Sequence, residues 1–286
     1  MNVAIFGLGL IGGSIGRSII KNTSDAVWGS DIDKESVLKA KLLKAITCEL
    51  KEDDYDKIDM AIVATCPNTA IKIIRDITPR LKDGAIIIDC CGNKKKLVSV
   101  MRELSASYPK INFFGGHPMA GREFSGIAHS TAGLLDKSYF LLVPIRPKIE
   151  VLTKVKKFWL DLGCGGVVIT NESTHDEIIS YTSQLAHIVS SCYIKNPLAV
   201  KHVGYSAGSF RDMTRVAKLN SEMWAELMMD NNDNLLKQID ELQKHLEEYK
   251  NALQTKDSSL LKSLLQEGND IKEQAEKIRR QGVNYD

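Results

Sequence analysis

Three segments of this 286-residue chain hold side chains whose types and settings could do chemistry. In "GGHPMAGREFSG" (115–126), His117 precedes a proline at the tip of an apolar, strand-like run and opens a glycine-rich loop. A neutral imidazole there can take a proton from a substrate near pH 7, although a histidine in such a loop can equally be a buried or capping group. "SQLAHIV" (183–189) places His187 in a stretch of helical period, and "SFRDMTRVA" (209–217) sets Asp212 between Arg211 and Arg215. Arginine offers a planar fork for a carboxylate, whereas the same trio could be a solvated charge cluster. The six histidines show no HExxH or similar ligand spacing, so no metal is expected.

A fourth segment, "GLGLIGGSIG" (7–16), places Gly7, Gly9 and Gly12 in a G-x-G-x-x-G pattern, with Leu10 and Ile11 between the last two. It follows a strand-like run and opens a helical stretch. Asp31 closes the next strand-like run, about 20 residues further on, as the dinucleotide fingerprint requires. In that fingerprint Gly7 permits a tight turn, Gly9 lets backbone amides approach a pyrophosphate, and Gly12 lets helix and strand pack closely. The helix N-terminus adds partial positive charge. Asp31 would accept hydrogen bonds from a ribose and repel a 2′-phosphate, which favours NAD over NADP, with Lys34 softening the preference. "VATCPNTAI" (63–71), with Thr65 and Pro67, and "IDCCGNKKK" (88–96), with Asp89 and Gly92, end at the same sheet edge. They are expected to wall the nicotinamide pocket. Cys90 and Cys91 are adjacent, would bridge only with strain, and are not expected to do redox chemistry.

These residues need a scaffold, and the pattern of the chain supplies one. Short β-branched runs recur at 3–7, 26–31, 60–65, 85–90, 111–116, 139–145 and 166–170, with helical stretches such as 34–45 and 95–108 between them. Near-continuous apolar runs alternating with helices imply a parallel sheet covered on both faces. From about residue 171 the strand-like runs cease, and 172–195 and 216–280 read as long charged helices. The expected organisation is α/β: a Rossmann-type, doubly wound sheet over 1–171, then an all-helical domain over 172–286. Segments 176–194 and 216–265 carry more apolar residues than one small helical layer could bury, which points to a homodimer. A net charge of +2 with 26% charged residues advertises neither nucleic acid nor a membrane surface. No apolar run reaches the roughly 18–20 residues of a membrane span. "MNVAIFG" reads as a strand rather than a signal peptide, and six scattered cysteines suit reduced thiols. A cytoplasmic location is expected.

Taken together, "GLGLIGGS" (7–14), "DCCGNKK" (89–95), "GGHPMAGREFSG" (115–126), "SQLAH" (183–187) and "GSFRDMTRVAKLNSEMW" (208–224) resemble the prephenate dehydrogenases of tyrosine biosynthesis. The resemblance spans nearly the whole chain. It implies NAD(P)-dependent oxidative decarboxylation of prephenate to 4-hydroxyphenylpyruvate and a helical domain that dimerises. It also implies that His117 contacts the ring hydroxyl, that His187 lies at the substrate mouth and that Arg215 grips the substrate. Glu123 and Asp212 match acidic positions that gate the pocket.

The chemistry fits these residue types. Hydride departure from the carbinol carbon leaves positive character, which His117 relieves by taking the hydroxyl proton. Such a base predicts a rate that falls below a pKa near that of ordinary histidine, about 6.5. One position departs from the family pattern. A serine common in "D-x-G-S-x-K" appears as Gly92, and a water or another hydroxyl such as Ser125 is the expected substitute. The chain ends soon after the helices without a β/α regulatory module, so tyrosine inhibition would act at the active site. The nearest alternative is an arogenate dehydrogenase, whose substrate carries an amino acid side chain. A β-hydroxyacid dehydrogenase is a more distant one, and a non-catalytic NAD-binding protein belongs to another class altogether.

Overall fold

Each apolar run of the N-terminal half becomes a strand whose successive side chains enter opposite faces of a sheet. The computed structural model describes residues 1–122 and 124–281. Its strands are β1 (Asn2–Phe6), β2 (Ala26–Ser30), β3 (Cys48–Glu49), β4 (Met60–Val63), β5 (Ile86–Asp89), β6 (Asn112–Pro118), β7 (Tyr139–Ile145) and β8 (Gly166–Ile169). They form one sheet in the order β3-β2-β1-β4-β5-β6-β7-β8. Val3 and Ile5 pack into one core layer while Ala4 and Phe6 pack into the other, and Ile86, Ile87 and Ile88 alternate in the same way. Burial on both faces is why these strands read as continuous apolar runs.

The pairing is parallel except between β6 and β7, which run antiparallel with His117 opposite Leu141. This differs from the all-parallel expectation. A parallel return needs a crossover, usually a helix, but among the described residues between Pro118 and Tyr139 the one helical element is a 3-10 turn at Ile127–His129. Helices α1 (Leu10–Asn22), α2 (Lys34–Leu42) and α5 (Ile149–Asp161) supply side chains to one core layer. Helices α3 (Pro67–Ile77) and α4 (Lys95–Ser107) supply the other.

After β8 the chain is helical. Helix α6 (Glu172–Ile179) runs through a π-helical segment, Ser180–Leu185, into α7 (Ala186–Ile194); α8 (Gly208–Thr214) and α9 (Ser221–Asp230) follow. All four belong by packing to the same compact unit as the sheet, Met1–Asn231. The second unit, Asn232–Asp286, contains α10 (Asn232–Gln254) and α11 (Ser258–Gln281). Asp257 caps α11 by accepting the amides of Ser259 and Leu260, and the Tyr249 hydroxyl donates to Leu264 O across the hairpin. No helix among the described residues is long and apolar enough to cross a membrane.

Candidate active site

The sheet order reverses between β1 and β4, and ligands of open α/β sheets bind in the crevice at such a reversal. Gly7 leaves β1 with φ +92°, and a Cβ there would lie 2.5 Å from Ala64 O. A Cβ on Gly12 would lie 1.9 Å from Gly7 O, so neither position admits a side chain. Gly9 caps α1 with no side-chain hydrogen bond, and a Cβ on it would meet nothing within 4 Å. The first amides of α1, at Leu10, Ile11 and Gly12, lie in the turn where a helix offers no intrahelical acceptor, and the open space beside Gly9 suits a pyrophosphate. Asp31 sits at the end of β2 and braces this loop: its Oδ2 accepts from Leu8 N at 2.7 Å and its Oδ1 from Asp33 N at 2.9 Å. Across the crevice, Thr65 borders Gly7 and Pro67 opens α3. The donor set, the open cradle and the carboxylate fit a dinucleotide.

His117 lies at the end of β6, three strands from β1 and its glycine loop in the sheet order. Its Nδ1 is 2.9 Å from His175 Nε2, and His175 Nδ1 is 2.7 Å from Asp176 Oδ1. Asp176 also terminates α4, accepting from Lys94 N at 2.8 Å and Lys95 N at 2.9 Å. Burial, the neighbouring His175 and the Lys94 ammonium hold the His117 imidazole well below the ordinary histidine value. Burial also lowers His175, against the opposing pull of Asp176. Both rings are therefore neutral near pH 7.

Asp89, expected at the cofactor wall, does not present its carboxylate there. It is fully buried, pairs with the buried Lys94 ammonium, and accepts from Cys91 N at 2.8 Å and Gly116 N at 3.1 Å. An enclosed carboxylate with an ammonium and two amides is held within the protein. Burial pushes the adjacent Cys90 and Cys91 thiols upward, so both stay protonated.

The position resembling the family serine is closely packed. A Cβ on Gly92 would lie 3.1 Å from Leu227 Cδ2, so a side chain there would require the Leu227 side chain on α9 to shift by a few tenths of an ångström. Ser125, the hydroxyl expected in its stead, is exposed, and the partner at His117 Nδ1 is a histidine.

A second group gathers on the helices. His187 Nδ1 donates to Ser183 O at 2.9 Å, since a carbonyl oxygen can only accept. Its ring packs on Trp224, with centroids 3.8 Å apart, and burial together with the Arg215 charge lowers its pKa. Arg215 follows α8 and is exposed, as is Asp212 within that helix. Glu123 lies outside the described residues.

Several participants escaped the sequence reading. His175 and Asp176 were visible only as a His-Asp pair one turn into a helix capped by Asn171. Gln184 donates to Asn93 Oδ1 at 2.9 Å and accepts from Asn231 Nδ2 at 2.8 Å, while Asn93 donates to Leu227 O at 2.6 Å. This buried amide network ties α9 and the π-helical segment to the β5–α4 turn. Glu226 on α9 accepts Asn68 N at the start of α3, at 2.8 Å.

Comparison with known proteins gives a consistent result. The profile of the family described as prephenate dehydrogenase, nucleotide-binding domain, matches residues 15–170, and that described as prephenate dehydrogenase, dimerization domain, matches residues 171–267. The chain is 30% identical to a prephenate dehydrogenase of Lactococcus lactis, over 96% of this chain and 77% of the relative. It is also 30% identical to a cyclohexadienyl dehydrogenase of Zymomonas mobilis, over 91% of each. The crystal structure of an Aquifex aeolicus prephenate dehydrogenase in complex with hydroxyphenyl propionate and NAD+ superposes with a TM-score of 0.85 at 26% identity, covering 96% of this chain and 98% of that one.

Proposed function

The chain belongs to the prephenate dehydrogenase family, and from that membership we propose that it converts prephenate to 4-hydroxyphenylpyruvate and carbon dioxide with NAD as oxidant, in tyrosine biosynthesis. The observation that carries the reading is a neutral His117, held at Nδ1 by His175, at the sheet edge beyond a dinucleotide cradle. NAD, held by the glycine loop and Asp31, would supply the acceptor for the hydride of the carbinol carbon. His117 takes the hydroxyl proton as that hydride leaves. The bond to the ring carboxylate then breaks, its electron pair passes through the ring to the oxygen, and the oxygen recovers the proton. No proton is consumed overall, so His117 must hold one and return it.

In this reading Gly7, Gly9, Leu10, Ile11 and Gly12 hold the pyrophosphate and Asp31 the ribose. Thr65 and Pro67 border the nicotinamide. Arg215 pairs with a substrate carboxylate and His187 lines the mouth beside Trp224, with Asp212, Ser125 and Glu123 at the rim. Residues 1–171 serve the cofactor and 172–286 the substrate and a homodimer contact, in a cytoplasmic enzyme without a nucleic-acid partner. The 30% identity to a cyclohexadienyl dehydrogenase, whose name specifies the ring and not the side chain, supports a second reading in which arogenate is also accepted. Formation of reduced cofactor, measured with prephenate and arogenate in parallel, tests both. Turnover of prephenate is expected; activity on neither would overturn the proposal.

A further inference from the structure

With both imidazoles neutral, the hydrogen-bonded chain behind His117 has one consistent placement of protons. Asp176 receives two amide hydrogens, from Lys94 on Oδ1 and from Lys95 on Oδ2, at the N-terminus of α4. A carboxylate held this way acts as an acceptor only. His175 Nδ1, at 2.7 Å from Oδ1, must therefore carry a hydrogen. A neutral His175 then has a bare lone pair on Nε2. Two lone pairs cannot face each other across the 2.9 Å to His117, so His117 Nδ1 carries a hydrogen as well. The lone pair of His117 is left on Nε2.

We infer that His175 and Asp176 are positioning residues that select the Nδ1–H tautomer of His117, so that Nε2 meets the substrate hydroxyl as an acceptor. The inference rests on the oxidation proposed above and adds to it a reason why the base is competent. Without an acceptor at Nδ1 nothing would enforce that form, and an N–H at Nε2 could not take the hydroxyl proton. The same chain serves the next moment of the reaction. Once Nε2 has taken the proton, the imidazolium keeps its Nδ1–H bonded to His175, whose own Nδ1–H is bonded to the Asp176 carboxylate. The other charged groups packed against the pair do not compete for that hydrogen, because Lys94 and Asp89 bond to each other and Asp89 is otherwise spent on amides. The arrangement also explains how the site manages with Gly92: orientation comes from an imidazole on α6 and needs no hydroxyl on the β5–α4 turn.

The tautomer can be read without substrate. In the uniformly 15N-histidine-labelled protein, long-range nitrogen–proton correlation at pH 8 should show His117 with Nδ1 protonated and Nε2 bare. The resonances lost in His117→Gln identify the ring. In parallel, His175→Phe removes the acceptor at similar volume, and kcat with prephenate should fall by roughly 100-fold or more while KM changes little. His175→Gln restores an acceptor oxygen and should recover most of that loss. An Nε2–H tautomer in the wild-type protein would overturn the inference, as would a His175→Phe enzyme with wild-type kcat or a His175→Gln enzyme no better than His175→Phe. If the Nδ1–H tautomer is found but neither prephenate nor arogenate is turned over, the proposed reaction fails and the tautomer assignment stands.

Discussion

A base that works at neutral pH must be unprotonated before the substrate arrives, and the surroundings of His117 secure this by burial and by the charge of Lys94. The folded-state pKa is depressed, so the neutral form persists as pH falls past the ordinary value of 6.5 and is lost only lower down. The acid limb of kcat/KM should therefore lie below the inflection near 6.5 that the bare sequence suggests, and a limb at or above 6.5 would contradict this environment. His117→Asn should lower kcat by about 10² to 10⁴ and abolish that limb, since general-base help is worth that much. A variant retaining full turnover and the same profile would make His117 structural. Asp31 acts on the cofactor instead. Its carboxylate already braces Leu8 N, so Asp31→Ser should weaken both cofactors while raising the NADP-to-NAD ratio of kcat/KM, roughly tenfold, by removing the repulsion of a 2′-phosphate. An unchanged ratio would show that Asp31 serves the loop alone.

Elements carry these residues to one edge, and the sequence made some of them legible. The runs around Ile5, Ile62 and Ile87 announced strands because burial on both faces demands unbroken apolar side chains. The direction of β7 was hidden, since alternation has no sign and only the loop after Pro118 decides it. The two-residue β3 is too short to produce a pattern. His117 stood out because glycine and proline frame it, whereas His175 meets it from 58 residues away and its helix reads as ordinary charged surface. The π-helical segment was equally hidden: one inserted residue leaves no mark on a short helical period, and such segments recur at functional sites. Here it turns Gln184 into the amide network while His187 faces Trp224. Gln184→Leu would strip the donor from buried Asn93 Oδ1 and an acceptor from Asn231 Nδ2. The expected cost is about 1–3 kcal/mol, seen as a lower urea midpoint. An unshifted midpoint would mean that α9 is held by other contacts.

At the scale of the whole molecule, the unit formed by α10 and α11 cannot account for its own stability. Only Leu235 and Ala252 are buried on α10, and no described residue of α11 is. Leu246, Leu253, Leu265, Ile271 and Ile278 each expose more than half of their surface. Two helices of this length have too little core to stand alone, and burying a large aliphatic side chain is worth roughly 1.5–3 kcal/mol. The family's dimerization domain covers residues 171–267, which includes α10 and the first part of α11, so a second copy is the expected cover. Light scattering at micromolar concentration should return twice the chain mass of 31.8 kDa. Association also stabilises by mass action, so Tm should rise with protein concentration. Leu253→Glu combined with Leu265→Glu replaces two exposed leucines of this unit with charge, and should shift the population towards monomer. A wild-type protein that scatters as a monomer, with a Tm independent of concentration, would leave these side chains in water and refute the dimer.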